Sequence, residues 1–146
     1  ATDGFVDGAT INVPFYTGQS IDIKIETQPF NDVLKHSDFI TLHVPNQENY
    51  IIGEDQFKSM KDGVGIINAA RGGTVDEEAL LAGLKSGKVY GAGLDVFENE
   101  PTPRKELLQH PRVSVTPHIG ASTVEAQANI GLELADKIIA FYGDDK

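Results

Sequence analysis

The chain contains no cysteine among its 146 residues, which excludes a disulfide framework and any thiolate metal site and fits a reducing compartment. Positive charge is scarce: 12 Lys and Arg stand against 22 Asp and Glu, a formal net charge of −10. A surface of that sign repels nucleic acid and anionic lipid, so neither is expected as a partner. Long apolar runs are also missing. None approaches the roughly 20 residues that cross a bilayer, and with Lys24 as the first basic residue the opening lacks the charged start of a secretory leader. The chain reads as cytoplasmic, with no metal site expected.

What is present is an ordinary apolar fraction of 40%, in a chain long enough for one domain with its own core. From Pro29 onward, helical and strand patterns alternate. "NDVLKHSD" (31–38) opens on an Asn31 cap, and "FITLHVP" follows as a strand closed by Pro45. "GEDQFKSMKDG" is a charged helical stretch, and "VGIINAA" a buried strand. Thr74 and Glu77 give the T-x-x-E capping pattern of a helix that Gly87 ends. "VYGAGLDVF" (89–97) and "VSVTPH" (113–118) are further strands. Ser122 and Glu125 repeat the capping spacing before a long amphipathic helix, in which Val124, Ala128, Leu132, Ala135, Ile138 and Tyr142 share a side that needs cover. Nearly continuous apolar strands alternating with helices predict an α/β fold, a parallel sheet with helices on both faces. The opening residues differ. They are rich in Gly, Thr and Pro, and only "IDIKI" (21–25) alternates as a strand does.

In such sheets ligands bind at the carboxyl ends of the strands. Arg71, Asp95 and His118 each fall just past a predicted strand end, so topology alone lines them along one rim. A guanidinium there offers a carboxylate two parallel donors, a fork that lysine lacks, and the glycines after it let backbone or ligand come close. Taken singly, each residue also has a plain structural reading. Arg71 is then a helix-start arginine, His118 a loop histidine, and Asp95 and Glu100 members of a solvated turn.

Taken together they resemble a family. "NAARGGTVDEEAL" (68–80), "GAGLDVFENEP" (91–101) and "TPHIGAST" (116–123) are similar, in order, to three successive signatures of the D-isomer-specific 2-hydroxyacid dehydrogenases, and "SDFITLHVPN" (37–46) extends the likeness upstream. The run "TPHIGASTVEAQANIG" (116–131) resembles the D-3-phosphoglycerate dehydrogenase branch. The resemblance implies a doubly wound, Rossmann-like sheet and NAD as cofactor. It implies that Arg71 grips the substrate's carboxylate and carbonyl oxygen, that His118 moves the hydroxyl proton, and that Glu100 pairs with His118. It further implies cofactor contacts from Asp95, Ala69, Ala70, Arg71, His118 and Gly120, and from His43, Val44 and Pro45 at the "HVP" edge. Chemistry agrees with these roles: oxidising a 2-hydroxy acid needs a base titrating near neutrality, and a neighbouring carboxylate orients imidazole and stabilises its charged form. His43 can equally be a capped strand end, and Gly91 and Gly93 read as close-packing positions.

The activity implied is the NAD-dependent oxidation of D-3-phosphoglycerate to 3-phosphohydroxypyruvate, by reversible hydride transfer at the entry to serine biosynthesis, in a homodimer. A glyoxylate or hydroxypyruvate reductase would share Arg71, Glu100 and His118, and an NADH-sensing co-repressor would bind the cofactor but act through protein partners. One family feature is missing: "GVGIIN" and "GAGLDV" both lack the third glycine of a phosphate-cradling turn. The chain therefore reads as a fragment without the glycine-rich first half and the substrate domain. Residues 1–30 are an irregular lead-in, 31–120 the second half of the dinucleotide-binding domain, and 121–146 a helix leading toward the substrate domain. Either the lead-in is the end of the second Rossmann strand, with Asp3 as the acid that binds the adenosine ribose, or it is an unrelated extension. Such a chain is expected not to turn over alone.

Overall fold

A computed structural model describes residues 7–143. Its centre is a four-stranded, all-parallel sheet in the order β3 (Phe39–Leu42), β4 (Val64–Asn68), β5 (Val89–Leu94), β6 (Val113–Val115). The connections are α1 (Phe30–His36), which enters β3, then α2 (Glu54–Ser59), α3 (Glu77–Ser86) and the single turn α4 (Lys105–Leu108). Alternate strand residues Ile40, Leu42, Val64, Ile66, Val89, Ala92 and Leu94 meet Leu34, Phe57, Leu80, Leu84 and Leu107 from the helices in one buried cluster. Each fully buried Leu in it contributes about 1.5–3 kcal/mol.

Among the described residues helices cover one face of the sheet rather than both. On the other face Phe39 is 73% exposed and Ile67 42%, and Gly91 and Gly93 occupy the facing positions of β5. The long helix α5 (Val124–Tyr142) forms as the periodicity requires, yet none of its residues is buried. No helix among the described residues is long and apolar enough to cross a membrane.

From residue 8 onward the lead-in is regular rather than irregular. Gly8–Pro14 (β1) and Ser20–Glu26 (β2) pair antiparallel through a turn in which Gly18 takes φ 81°. The register puts Ala9, Ile11 and Val13 opposite Ile25, Ile23 and Ile21, so one side of the ribbon is wholly aliphatic, while Thr10, Asn12, Asp22 and Lys24 line the other. Asp3 lies outside the described residues.

Three expected caps are displaced. Pro29, not Asn31, stands at the N-cap of α1, with no side-chain cap. Helix α3 begins after Asp76, whose Oδ1 accepts from Glu78 N–H and Ala79 N–H. Thr74 cannot start it, because Val75 bridges to Ile52 and Asp76 N–H donates to the Ile52 carbonyl. In α5 the cap is Thr123, accepting from Ala126 N–H, rather than Ser122. Gly87 ends α3 as expected, in the left-handed region at φ 84°. The strands stop short of their apolar runs, at Leu42, Leu94 and Val115, which leaves His43 to Pro45, Asp95 to Phe97 and Thr116 to His118 as rim segments.

Candidate active site

Arg71 sits in the turn between β4 and α3. The Asn68 side chain, buried where its strand ends, donates from Nδ2 to the Arg71 carbonyl at 3.0 Å and accepts from Ala70 N–H at 3.2 Å. Thr74 Oγ1 donates to the same carbonyl at 2.8 Å. Arg71 is exposed as a residue, and its Nη1 donates to Ala70 O at 2.6 Å in a part-buried contact. Among the described residues no carboxylate lies within ion-pair distance of it. Gly72 is there for space: a Cβ on it would stand 1.9 Å from the Phe97 carbonyl oxygen. The Arg71 turn is thus pressed against the segment that follows β5.

That segment carries Asp95 and Glu100. Asp95, 7% exposed, accepts at Oδ1 from Thr116 Oγ1 at 2.5 Å and Ile119 N–H at 2.9 Å, and at Oδ2 from Gly120 N–H at 2.8 Å. One carboxylate so holds the loop around His118, whose φ of 54° is a left-handed conformation unusual for a residue with a Cβ. Burial pushes the Asp95 carboxyl up, but the three donated bonds and the nearby imidazole outweigh it, and its pKa lies below the ordinary value.

Glu100 completes the arrangement. Its Oε2 is 2.7 Å from His118 Nδ1, and its Oε1 accepts from Phe97 N–H at 2.9 Å. The imidazole contact first, and the Phe97 N–H second, hold its carboxyl below the usual range against a small push from burial and from Asp95. With Nδ1 engaged, Nε2 is the ring nitrogen left for a ligand. Contacts therefore run without a break from Arg71 through Gly72, Phe97 and Glu100 to His118.

The other expected positions divide. His43 is exposed at the end of β3, its Nε2 3.1 Å from Thr41 Oγ1; Val44 packs half-buried on the core, and Pro45 is exposed. Ala69 is exposed and Ala70 buried. Gly120 fits under Asp95, where a Cβ would come within 3.0 Å of Oδ2. Gly91 is a close-packing position, where a Cβ would stand 3.0 Å from the Arg112 carbonyl oxygen, whereas at Gly93 a Cβ would meet nothing nearer than 3.9 Å. Asn68 and Thr116, which the sequence patterns do not single out, are each a polar residue at the end of an apolar run.

Within the described residues no set of three His, Asp or Glu side chains could hold a metal ion. On this rim the His118–Glu100 pair is open to a ligand, its side chains 49% and 36% exposed. A glycine turn for the pyrophosphate is not found among them, since a hairpin precedes the first parallel strand.

Residues 10–120 match the family model described as D-isomer specific 2-hydroxyacid dehydrogenase, NAD binding domain. The chain belongs to that family. It is 52% identical over 127 residues to the hydroxypyruvate reductase of Thermotoga maritima, covering 84% of this chain and 42% of that protein. It is 48% identical over 130 residues to the D-3-phosphoglycerate dehydrogenase of Archaeoglobus fulgidus, covering 86% and 25%. A solved glyoxylate reductase from Paecilomyes thermophila superposes with a TM-score of 0.69 at 44% identity, over 73% of this chain and 33% of that one. The chain thus spans well under half the length of these relatives. As a 2-hydroxyacid dehydrogenase domain it has NAD as its cofactor, and its rim residues take on chemical meaning.

Proposed function

We propose that the full-length protein catalyses the NAD-dependent oxidation of D-3-phosphoglycerate to 3-phosphohydroxypyruvate and the reverse reduction. The observation that carries the acid–base assignment is the 2.7 Å contact between His118 Nδ1 and Glu100 Oε2, on a loop braced against the Arg71 turn. Arg71 binds the substrate carboxylate through its fork and orients the carbon-2 oxygen. His118 Nε2 takes the hydroxyl proton in oxidation and returns it in reduction. Glu100 fixes the ring and stabilises the imidazolium. Bound nicotinamide supplies the hydride acceptor or donor. Ala69, Ala70, His43, Val44, Pro45, Asp95 and Gly120 are proposed to line the cofactor's side, Asp95 by shaping the loop. The protein is proposed to be a cytoplasmic homodimer.

The run at residues 116–131 and the 48% identity to a phosphoglycerate dehydrogenase support this substrate. The 52% identity to a hydroxypyruvate reductase supports a second reading, reduction of hydroxypyruvate or glyoxylate. Steady-state assays of the full-length protein decide between them: NADH formation from D-3-phosphoglycerate is expected to exceed NADH consumption with hydroxypyruvate or glyoxylate in kcat/KM. The reverse order selects the reductase. Arg71→Lys and His118→Asn are each expected to abolish turnover; absence of turnover in the unaltered protein would leave a cofactor-sensing role.

A further inference from the structure

Glu77, Glu98 and Arg104 form a cluster that the acid–base chemistry leaves unused. Glu77, the first residue of α3, is 4% exposed. Its Oε1 accepts from Glu98 N–H at 2.8 Å, and Glu98 Oε1 accepts in return from Glu77 N–H at 3.0 Å. Each acid holds the other's backbone. Arg104 supplies the countercharge, its Nε 3.5 Å from Glu77 Oε2 and its Nη2 3.9 Å from Glu98 Oε2. Among the described residues neither Nε nor Glu77 Oε2 has a hydrogen-bond partner, so the two face each other as charges. Burial pushes the Glu77 carboxyl up; the Glu98 N–H opposes it, the Glu98 charge adds to it, and Arg104 opposes it last, with a net upward direction. Tyr50 and Arg104 are the other titratable or charged groups facing Glu98, and Asp76 faces Tyr50 in turn.

The place of this cluster matters more than its charge. Residue 98 follows Phe97, whose N–H holds Glu100 and whose carbonyl abuts Gly72. The 97–98 segment is therefore gripped by the Arg71 turn on one side and by the start of α3 on the other. We propose that Glu77, Glu98 and Arg104 are positioning residues that lock the 97–100 segment against the Arg71 turn, so that the carboxylate anchor and the Glu100–His118 pair keep one registry. The proposal rests on the dehydrogenase reading above. A misplacement near 1 Å at a reacting centre costs on the order of 100-fold in rate, so a brace that touches no reacting atom still has kinetic weight.

The test uses the full-length protein with Glu77→Ala, Arg104→Met and Glu77→Gln, read by steady-state kinetics and by 13C NMR titration of the Glu100 carboxyl. Glu77→Ala and Arg104→Met are each expected to lower kcat about tenfold, leave the KM for NAD unchanged and move the Glu100 titration upward. The upward move follows because Phe97 N–H and His118 no longer hold the carboxylate while the Asp95 charge still repels it. Glu77→Gln keeps an acceptor oxygen and is expected to restore most of both. An unmoved Glu100 titration in Arg104→Met overturns the brace, as does a loss of kcat without such movement. Should Glu77→Ala fail to fold, Arg104→Met and Glu77→Gln decide. If the unaltered protein turns over no 2-hydroxy acid, the dehydrogenase reading fails, and the Glu100 titration still judges the brace.

Discussion

His118 and Glu100 are joined imidazole to carboxylate at 2.7 Å, although each comes from a different loop and His118 holds a φ of 54° to make the contact. Its Nδ1 is committed, and the acid–base work falls to Nε2. In the reduction direction His118 enters as imidazolium, so the acid limb of the pH–rate profile reports Glu100. Because the Glu100 pKa is lowered, chiefly by His118 and then by Phe97 N–H, the carboxylate stays charged until the pH falls through that depressed value. The limb is expected below the ordinary glutamate range. Glu100→Gln should erase it and lower kcat by roughly 10- to 100-fold. A limb at or above the ordinary value would count against the pairing.

Asp95→Asn should destabilise. An amide can accept at one oxygen only, and its NH2 would then face a backbone N–H that Asp95 now satisfies. Leaving that donor unpaired costs about 1–3 kcal/mol, read as a lower urea midpoint at unchanged slope. Since the folded-state pKa is depressed, the contribution of this carboxylate is present above the unfolded value and lost as pH falls through the folded one. The stability gap between Asp95→Asn and the parent should therefore narrow in acid, and a gap independent of pH would contradict the assignment.

Gly72→Ala cannot be absorbed by a side-chain movement, because the added Cβ would collide with the Phe97 backbone carbonyl. The two loops must separate, at a cost of about 1–3 kcal/mol, and the Arg71 turn moves with them. Turnover and thermal midpoint should fall together.

Gly87→Ala supplies the contrast. The position has φ 84° and open space around it, so the penalty is conformational alone, about 1 kcal/mol. It lies before the start of β5, at the edge of the sheet opposite the site loops, and kcat should be unaltered while the melting temperature drops.

The candidate rim was legible because its side chains follow apolar runs at strand ends. Arg71, Asp95 and His118 each follow the point where a parallel strand reaches the rim, and a parallel topology gathers such points without further information. Caps were less legible. T-x-x-E spacing occurs at Thr74, but the Ile52–Val75 bridge keeps the chain extended one residue past it, a tertiary constraint that no local pattern carries. Strand β1 was hidden differently: Ala9, Ile11 and Val13 alternate with Thr10 and Asn12, yet Gly8 and Pro14 read as loop punctuation. Pairing puts both at the ribbon's ends, opposite Glu26 and Ser20, where a missing N–H costs little. The Glu77–Glu98 clamp, between two like charges far apart in sequence, has no sequence signature.

The ribbon's aliphatic side also governs how the polypeptide behaves in concentrated solution. Ile11, Ile21 and Ile23 remain 46–49% exposed there, a greasy strip on a molecule whose net charge of −10 otherwise keeps copies apart. Screening that charge with salt should therefore promote clumping in this chain, measurable by light scattering, and Ile11→Thr with Ile23→Thr should raise the salt concentration it tolerates while leaving the rim chemistry untouched.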